Sequence, residues 1–220
     1  PAPLHLWRAL THWLGGAGIV LVVLVLTPWL GGQEDMRRTQ RAEASFLTER
    51  YAGSTRATLK GLLAVYVGAT AVLTVLLFAL GMTAWDASLH SLATISTGGF
   101  STKTASAGAW GTSIQLVLTV FMLLGALNFA VLGRAVTGGG AKGVWRNGEV
   151  RGYLLMVLLV TAAIGVMLFS SGDASRYGDQ GASGFGQALV DAAFTTASIS
   201  STTGFCTEDF SRWPAACQLI

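Results

Sequence analysis

Four apolar runs divide the chain, separated by polar or glycine-rich segments. The first, Trp13 to Leu30, is at the lower limit for crossing a bilayer and closes on Pro28 with Gly31 and Gly32 behind it. Gly61 to Met82 and Thr112 to Gly133 each hold 22 residues without a charge. As helices they would extend about 33 Å, enough for a hydrocarbon layer of about 30 Å. Tyr153 to Phe169, at 17 residues, is a minimal span, and Trp213 to Ile220 begins a fifth apolar run. The polar stretches Gln33 to Lys60 and Arg134 to Arg151 read as loops in water.

Two further stretches fit neither class, and each is a copy of the other. Sliding the chain by 105 positions lays Asp86 on Asp191, Ala87 on Ala192, Ser96 on Ser201, Thr97 on Thr202, Gly99 on Gly204, Phe100 on Phe205 and Thr102 on Thr207. Such density at one offset marks a duplicated supersecondary unit. In each copy about a dozen helix-tolerant residues lead into a Thr/Gly turn carrying an aromatic. A helix over Ala84 to Ser96 would be only about 20 Å long, able to enter a membrane but not to cross it. Exposed backbone at that depth is tolerated only when buried in protein or lining an aqueous path.

The turns TGGF (Thr97, Gly98, Gly99, Phe100) and TTGF (Thr202, Thr203, Gly204, Phe205) suit the aqueous path. A dehydrated cation needs several converging oxygen dipoles, which consecutive backbone carbonyls supply compactly. Pointing them the same way demands unusual dihedrals, which glycine reaches without steric cost. The preceding helix would turn the negative end of its dipole toward the path, favouring cations.

Composition agrees with a membrane location. The 220 residues are 52% hydrophobic and 11% charged, with mean hydropathy +0.56, whereas soluble domains carry about 25% charged residues. The 28 glycines, nearly twice the roughly 7% average, fit close helix packing in lipid. Of the 14 lysines and arginines, ten lie in the loops 31–60 and 134–151, leaving Arg8, Lys103, Arg176 and Arg212 for the opposite side. The positive-inside rule puts those loops in the cytoplasm and both turns outside. A net charge of +3 arising in loops gives no reason to expect nucleic acid. Cys206 and Cys217 are too few for a disulfide framework.

The stretches THWLGGAGI (Thr11 to Ile19), HSLATISTGGFST (His90 to Thr102), GALNF (Gly125 to Phe129) and SISSTTGFCTEDFSRWP (Ser198 to Pro214) resemble the Trk/Ktr/HKT superfamily of potassium and sodium transporters, most closely its bacterial Trk membrane subunits. The resemblance implies an all-α membrane protein of four span, re-entrant pore helix and filter, span units around one pore. On this reading 1–30 ends a first unit, 31–60 is cytosolic, 61–133 is the second unit, 134–151 is cytosolic, and 152–220 is a third unit cut in its last span. Thr97, Gly98, Gly99 and Phe100 would form the second filter and Thr202, Thr203, Gly204 and Phe205 the third, with K+ held by the carbonyls of Thr97 to Gly99 and Thr202 to Gly204. The repeat is out of phase at both ends, so an internal piece of a longer subunit is expected. The family further implies a multi-pass protein of the bacterial inner membrane, a homodimer, and a cytosolic nucleotide-binding regulatory subunit. No cofactor is expected beyond the transported ion.

Other readings stay open on sequence. A sodium-permeable member of the same family stays open, because the resemblance implies that the first filter, which is not among these residues, helps set ion choice. A cation-coupled secondary transporter would also use broken helices, although it predicts inverted repeats where these are parallel. A scaffold that transports nothing would use its glycines only for packing. An enzyme lacks any legible Ser/His/Asp, Cys/His or paired-carboxylate set. Asp86, three residues after Thr83, reads as a helix cap or as an ion attractor; Asp191 has no such partner. His5, His12 and His90 have no cysteine or carboxylate at metal-ligand spacing. The GGAG of Gly15 to Gly18 reads as helix packing rather than a nucleotide loop, Gly138 to Gly140 as a tight turn, and Asn128 as an interhelical hydrogen bonder. Lys103 and Glu208 follow the two turns at matching positions, either opposed across a vestibule or solvated. Trp85, Trp110 and Trp213 read as interfacial anchors.

Overall fold

The structure, a computed structural model, describes residues 2–30, 55–127, 145, 147–170 and 182–218. Most of the two polar loops (31–54 and 128–144, with Asn128 and Gly138 to Gly140) and the stretch 171–181 lie outside the described residues. Among the described residues, seven α-helices follow in order: α1 Ala2–Leu30, α2 Thr55–Ala79, α3 Ala84–Ile95, α4 Thr112–Ala126, α5 Gly148–Ser170, α6 Ala182–Ser200 and α7 Ala215–Gln218. Short 3-10 turns occupy Ser106–Ala109 and Phe210–Arg212, and no strand occurs among the described residues. The fold is all-α.

Lys60–Ala79 and Gly148–Ser170 are long and apolar enough to cross a membrane, yet only 28% and 22% of their most apolar windows are buried. Val72, Val75 and Phe78 on α2 and Leu155, Leu158 and Leu159 on α5 point outward. A core helix of a soluble protein would bury these side chains, so their natural solvent is lipid.

Helix ends depart from the apolar runs in both directions. The run Thr112 to Gly133, expected as one span, is helical only to Ala126, where Leu127 turns extended (φ −73°, ψ 146°), and residues 128–133 lie outside the described residues. The other long helices start earlier than their runs. α1 begins eleven residues before Trp13, α2 at Thr55 and α5 at Gly148. Polar flanks therefore join the first turns, because hydrophobicity marks the lipid-buried length and not the limits of the backbone ladder. A larger correction concerns the second short helix, expected at about a dozen residues: α6 has 19, against 12 in α3. The start of α3 is fixed by a left-handed Gly81 and a Thr83 cap. No such stop precedes Asp191 within Ala182–Ser200, so the helix continues toward its N-terminus.

The two units share one interior. α3 packs on α1, α2 and α4, while α6 packs on α4 and α5. Leu73, Leu77, Ala87, Ala93, Leu118 and Met122 of the earlier unit form a single buried cluster with Phe194, Ala197 and Phe205 of the later one. A second cluster joins Ile164 and Leu168 of α5 to Ala188 and Ala192 of α6 and to Trp213 and Cys217. Buried alanines let the helices approach closely, as packing in lipid requires.

Candidate functional site: two facing turns

Each short helix ends in the same hydrogen-bonded turn. After α3, Thr97 N–H donates to Thr94 C=O at 3.1 Å and Gly98 N–H to Ala93 C=O at 2.7 Å, with Gly99 N–H directed at the same Ala93 oxygen at 3.4 Å. After α6 the donors are Thr202, Thr203 and Gly204, the acceptors Ile199 and Ser198, and the distances 3.0, 2.9 and 3.4 Å. Every partner is displaced by the 105 residues of the sequence repeat. The first two bonds of each set form a Schellman motif, whose position just past the cap requires left-handed backbone.

That position holds threonine. Thr97 has φ 54° and Thr202 φ 60°, followed two residues later by Gly99 at 62° and Gly204 at 83°. Glycine carries the left-handed conformation freely, but a β-branched residue there is an outlier that costs about 1–2 kcal/mol. Sequence placed the unusual dihedrals on the glycines; the threonines were missed, because their residue type argues against them.

The turn geometry directs the carbonyls. All peptide bonds among the described residues are trans, so the C=O preceding each of these N–H groups points the opposite way. Three N–H groups converge on the end of α3, and the carbonyls of Ser96, Thr97 and Gly98 therefore leave it together. Those of Ser201, Thr202 and Thr203 leave the end of α6 in the same fashion. Such rows of parallel carbonyls can replace part of a cation's hydration shell.

The two turns meet. A Cβ on Gly99 would lie 2.0 Å from the Thr203 carbonyl oxygen, and one on Gly108 would lie 2.2 Å from that of Thr207. Gly108 N–H donates to Cys206 C=O at 3.1 Å, and Cys206 N–H donates to Ser106 Oγ at 3.3 Å. The loop after the first turn is thereby sewn to the exit of the second. Gly204, in contrast, has open space at its Cβ position among the described residues.

Side chains from neighbouring elements fix these turns. His12 of α1 hydrogen-bonds Ser96 through Nδ1 at 3.0 Å and lies edge-on to Phe100 at 5.4 Å, with Arg8 stacked 4.3 Å over the same ring. Its ring fills the space where a Cβ on Gly98 would sit. Asp86 is buried and fully engaged: Thr83 Oγ1 accepts from its N–H at 3.1 Å and donates to Oδ2 at 2.9 Å, and Thr102 Oγ1 donates to Oδ1 at 2.5 Å. This carboxylate caps α3 and ties down the exit of the first turn, which favours the structural reading over ion attraction. Asp191 accepts from Gln187 Nε2 at 3.3 Å. The second turn has a device of its own, Ser198 Oγ donating to Phe205 C=O at 2.7 Å, where the first copy has Ala93.

Of the GGAG glycines only Gly16 is a packing glycine, pressed against the Tyr66 hydroxyl and Ser96, while Gly15 and Gly18 face open space among the described residues. The tryptophans need correction. Trp85 is exposed, but Trp213 is 8% exposed and packs in the second cluster with Ile164 and Leu168 of α5 and Ala188 and Ala192 of α6. Lys103 lies 5.6 Å over the half-buried Trp110 ring.

Outward-facing apolar helices joined to short helix-and-turn units define an α-helical membrane protein. The chain belongs to the TrkH family of cation transport proteins, whose model matches residues 1–220. That membership sets it among transport proteins and not among enzymes. It is 32% identical over 216 residues to the Trk system potassium uptake protein TrkI of Halomonas elongata, covering 96% of this chain and 41% of that protein. It is 34% identical over 222 residues to the Trk system potassium uptake protein TrkH of Vibrio parahaemolyticus, covering 97% and 43%. The crystal structure of the potassium transporter TrkH from Vibrio parahaemolyticus superposes with TM-score 0.78 at 28% identity, over 100% of this chain and 42% of that one. The chain thus spans about two fifths of the length of these relatives.

Proposed function

We propose that the two turns are selectivity filters of a pore for potassium uptake, and that further units of the same kind complete it in the full-length subunit. Carbonyls of Thr97, Gly98, Thr202 and Thr203, which belong to the rows leaving the helix ends, coordinate the dehydrated ion together with those of Gly99 and Gly204 at the next positions, and Phe100 and Phe205 wedge the turns in place. The observation that carries this reading is the matched set of hydrogen bonds at both helix ends, which leaves carbonyl rows displaced by one sequence repeat. The names of the Trk relatives favour potassium as the cargo. An inside-negative potential supplies about 2.3 kcal/mol per 100 mV for each monovalent charge, so inward flux needs no covalent chemistry. The subunit works as a homodimer in the bacterial plasma membrane with a cytosolic nucleotide-binding regulatory partner.

The test is potassium and sodium uptake into proteoliposomes carrying the full-length subunit and its Gly99→Asp and Gly204→Asp variants. A carboxylate in the carbonyl row is expected to abolish potassium flux or to reshape the ion ratio. Wild-type flux and ion ratios in both variants would sink the filter assignment.

A further inference from the structure

His90 stands outside the turns, yet its ring reaches both of them, through Nε2 to the exit of the first and through one face to Phe205 of the second. It lies in the middle of α3 and is 0% exposed. Nδ1 sits 2.7 Å from the Asp86 carbonyl oxygen, which can only accept, so Nδ1 carries the ring proton. Nε2 lies 3.0 Å from Ser101 Oγ, and in the neutral ring it is the acceptor of that hydroxyl. Ser101 Oγ in turn accepts from Lys103 N–H at 3.1 Å, and the residue before it is Phe100 of the first turn. One ring face stacks on Phe205 of the second turn at 5.8 Å and 17°, and Trp110 meets the ring edge-on at 5.8 Å and 87°.

The arrangement has no copy in the later unit. The position 105 residues after His90 is Thr195, and the one after Ser101 is Cys206. The later exit is held by Ser198 on the Phe205 carbonyl and by Ser106 and Gly108 on Cys206. His90 therefore belongs to the joint between turns and not to the repeated plan of each.

We propose that His90 is a positioning residue that sets the two turns in register: its Nε2 anchors the exit of the first through Ser101, and its ring face seats Phe205 of the second. The inference rests on the filter reading above. A displaced turn shifts a carbonyl row relative to its neighbour, and a coordination cage discriminates ions by the placement of those oxygens. The neutral Nδ1–H tautomer is the form that serves, because it donates to Asp86 and accepts from Ser101 at once.

The test uses the full-length subunit in proteoliposomes and reads the potassium-to-sodium uptake ratio beside the thermal midpoint, for His90→Leu, His90→Gln, Ser101→Ala and the double variant His90→Leu/Ser101→Ala. Ser101→Ala removes one hydroxyl without altering the core, so it keeps the test informative if His90→Leu fails to fold. The ratio is expected to fall about threefold to tenfold in Ser101→Ala, the size of one lost hydrogen bond. The double variant should fall no further than His90→Leu, since both changes cut the same link. His90→Gln, which can donate and accept, should recover part of the ratio. Unchanged ratios in Ser101→Ala and His90→Leu, with only the midpoint lowered, would make His90 a packing residue and overturn the proposal. Gly99→Asp in the same assay separates the two readings. If it and Gly204→Asp abolish flux or alter the ratio and the His90 and Ser101 variants do not alter it, this inference alone falls; if both aspartate variants keep wild-type flux and ratio, the filter reading falls and takes this one with it.

Discussion

A threonine held at φ 54° is the most informative residue in the first turn, because nothing about its type recommends it there. Thr97 caps the Schellman turn where glycine is usual, and Thr202 repeats the choice. Replacing Thr97 with glycine relieves about 1–2 kcal/mol of left-handed strain and adds about 0.5–1 kcal/mol of chain entropy to the unfolded state. The thermal midpoint of the full-length Thr97→Gly variant in detergent should therefore hold or rise slightly. Its potassium-to-sodium uptake ratio should drop, as a turn freed from its single conformation coordinates less selectively. A midpoint several degrees lower would mean that the threonine side chain contributes more by packing than its backbone costs. From sequence, Gly99 and Gly204 stood out as turn residues, and that part of the site was legible because glycine advertises its conformational freedom. The left-handed backbone of Thr97 and Thr202, named from sequence only as filter residues, and the contacts of His12 and His90 were not, since these depend on which elements the fold brings alongside.

At the scale of elements, the spacing of small residues mattered more than their number. α1 carries Gly15, Gly16 and Gly18 within four positions, and only Gly16 touches α2 and the end of α3. A Cβ on Gly16 would lie 2.8 Å from the Tyr66 hydroxyl oxygen, whose hydrogen bond to Trp13 C=O at 3.0 Å joins α1 to α2. Gly16→Ala is expected to displace that hydroxyl and lower stability by about 1 kcal/mol, the usual net worth of the bond. Gly15→Ala and Gly18→Ala should be neutral or slightly stabilising through helix propensity. Chemical unfolding in detergent of the three variants checks the order; equal losses would mean that the helix, and not the contact, is the sensitive element. The apolar runs announced the spans of α2 and α5 because lipid demands a minimum length of uncharged residues, but gave no sign that α4 ends at Ala126, within its run. The length of α6 was hidden for the complementary reason: its extra turns are neither apolar enough nor polar enough to mark an end. The repeat at 105 residues was legible because each turn needs the same chemistry, whereas the seam of Ser106, Gly108 and Cys206 between the units has no internal copy to reveal it.

On the scale of the whole molecule, Gly99 and Gly204 are equivalent in sequence and backbone but not in surroundings. Gly99 abuts the Thr203 carbonyl of the next turn, while Gly204 faces open space among the described residues. A head-to-tail contact of this kind either stops or repeats, and heterologous contacts that repeat around an axis close into a ring. Under the proposed pore, Gly204 meets the equivalent carbonyl of another turn in the full-length subunit. Alanine at either position pays the left-handed penalty of about 1–2 kcal/mol. At Gly99 it also drives a methyl against backbone oxygen that cannot move aside. If the contact repeats, Gly204→Ala in the full-length subunit should damage potassium uptake and thermal stability as severely as Gly99→Ala. If uptake survives in Gly204→Ala and the midpoint falls only by the left-handed penalty, no further turn abuts it, and the pore is not built as a closed succession of such contacts. The comparison requires no assumption about the ion, because both variants probe the same backbone contact and differ only in whether a neighbour is there to be struck.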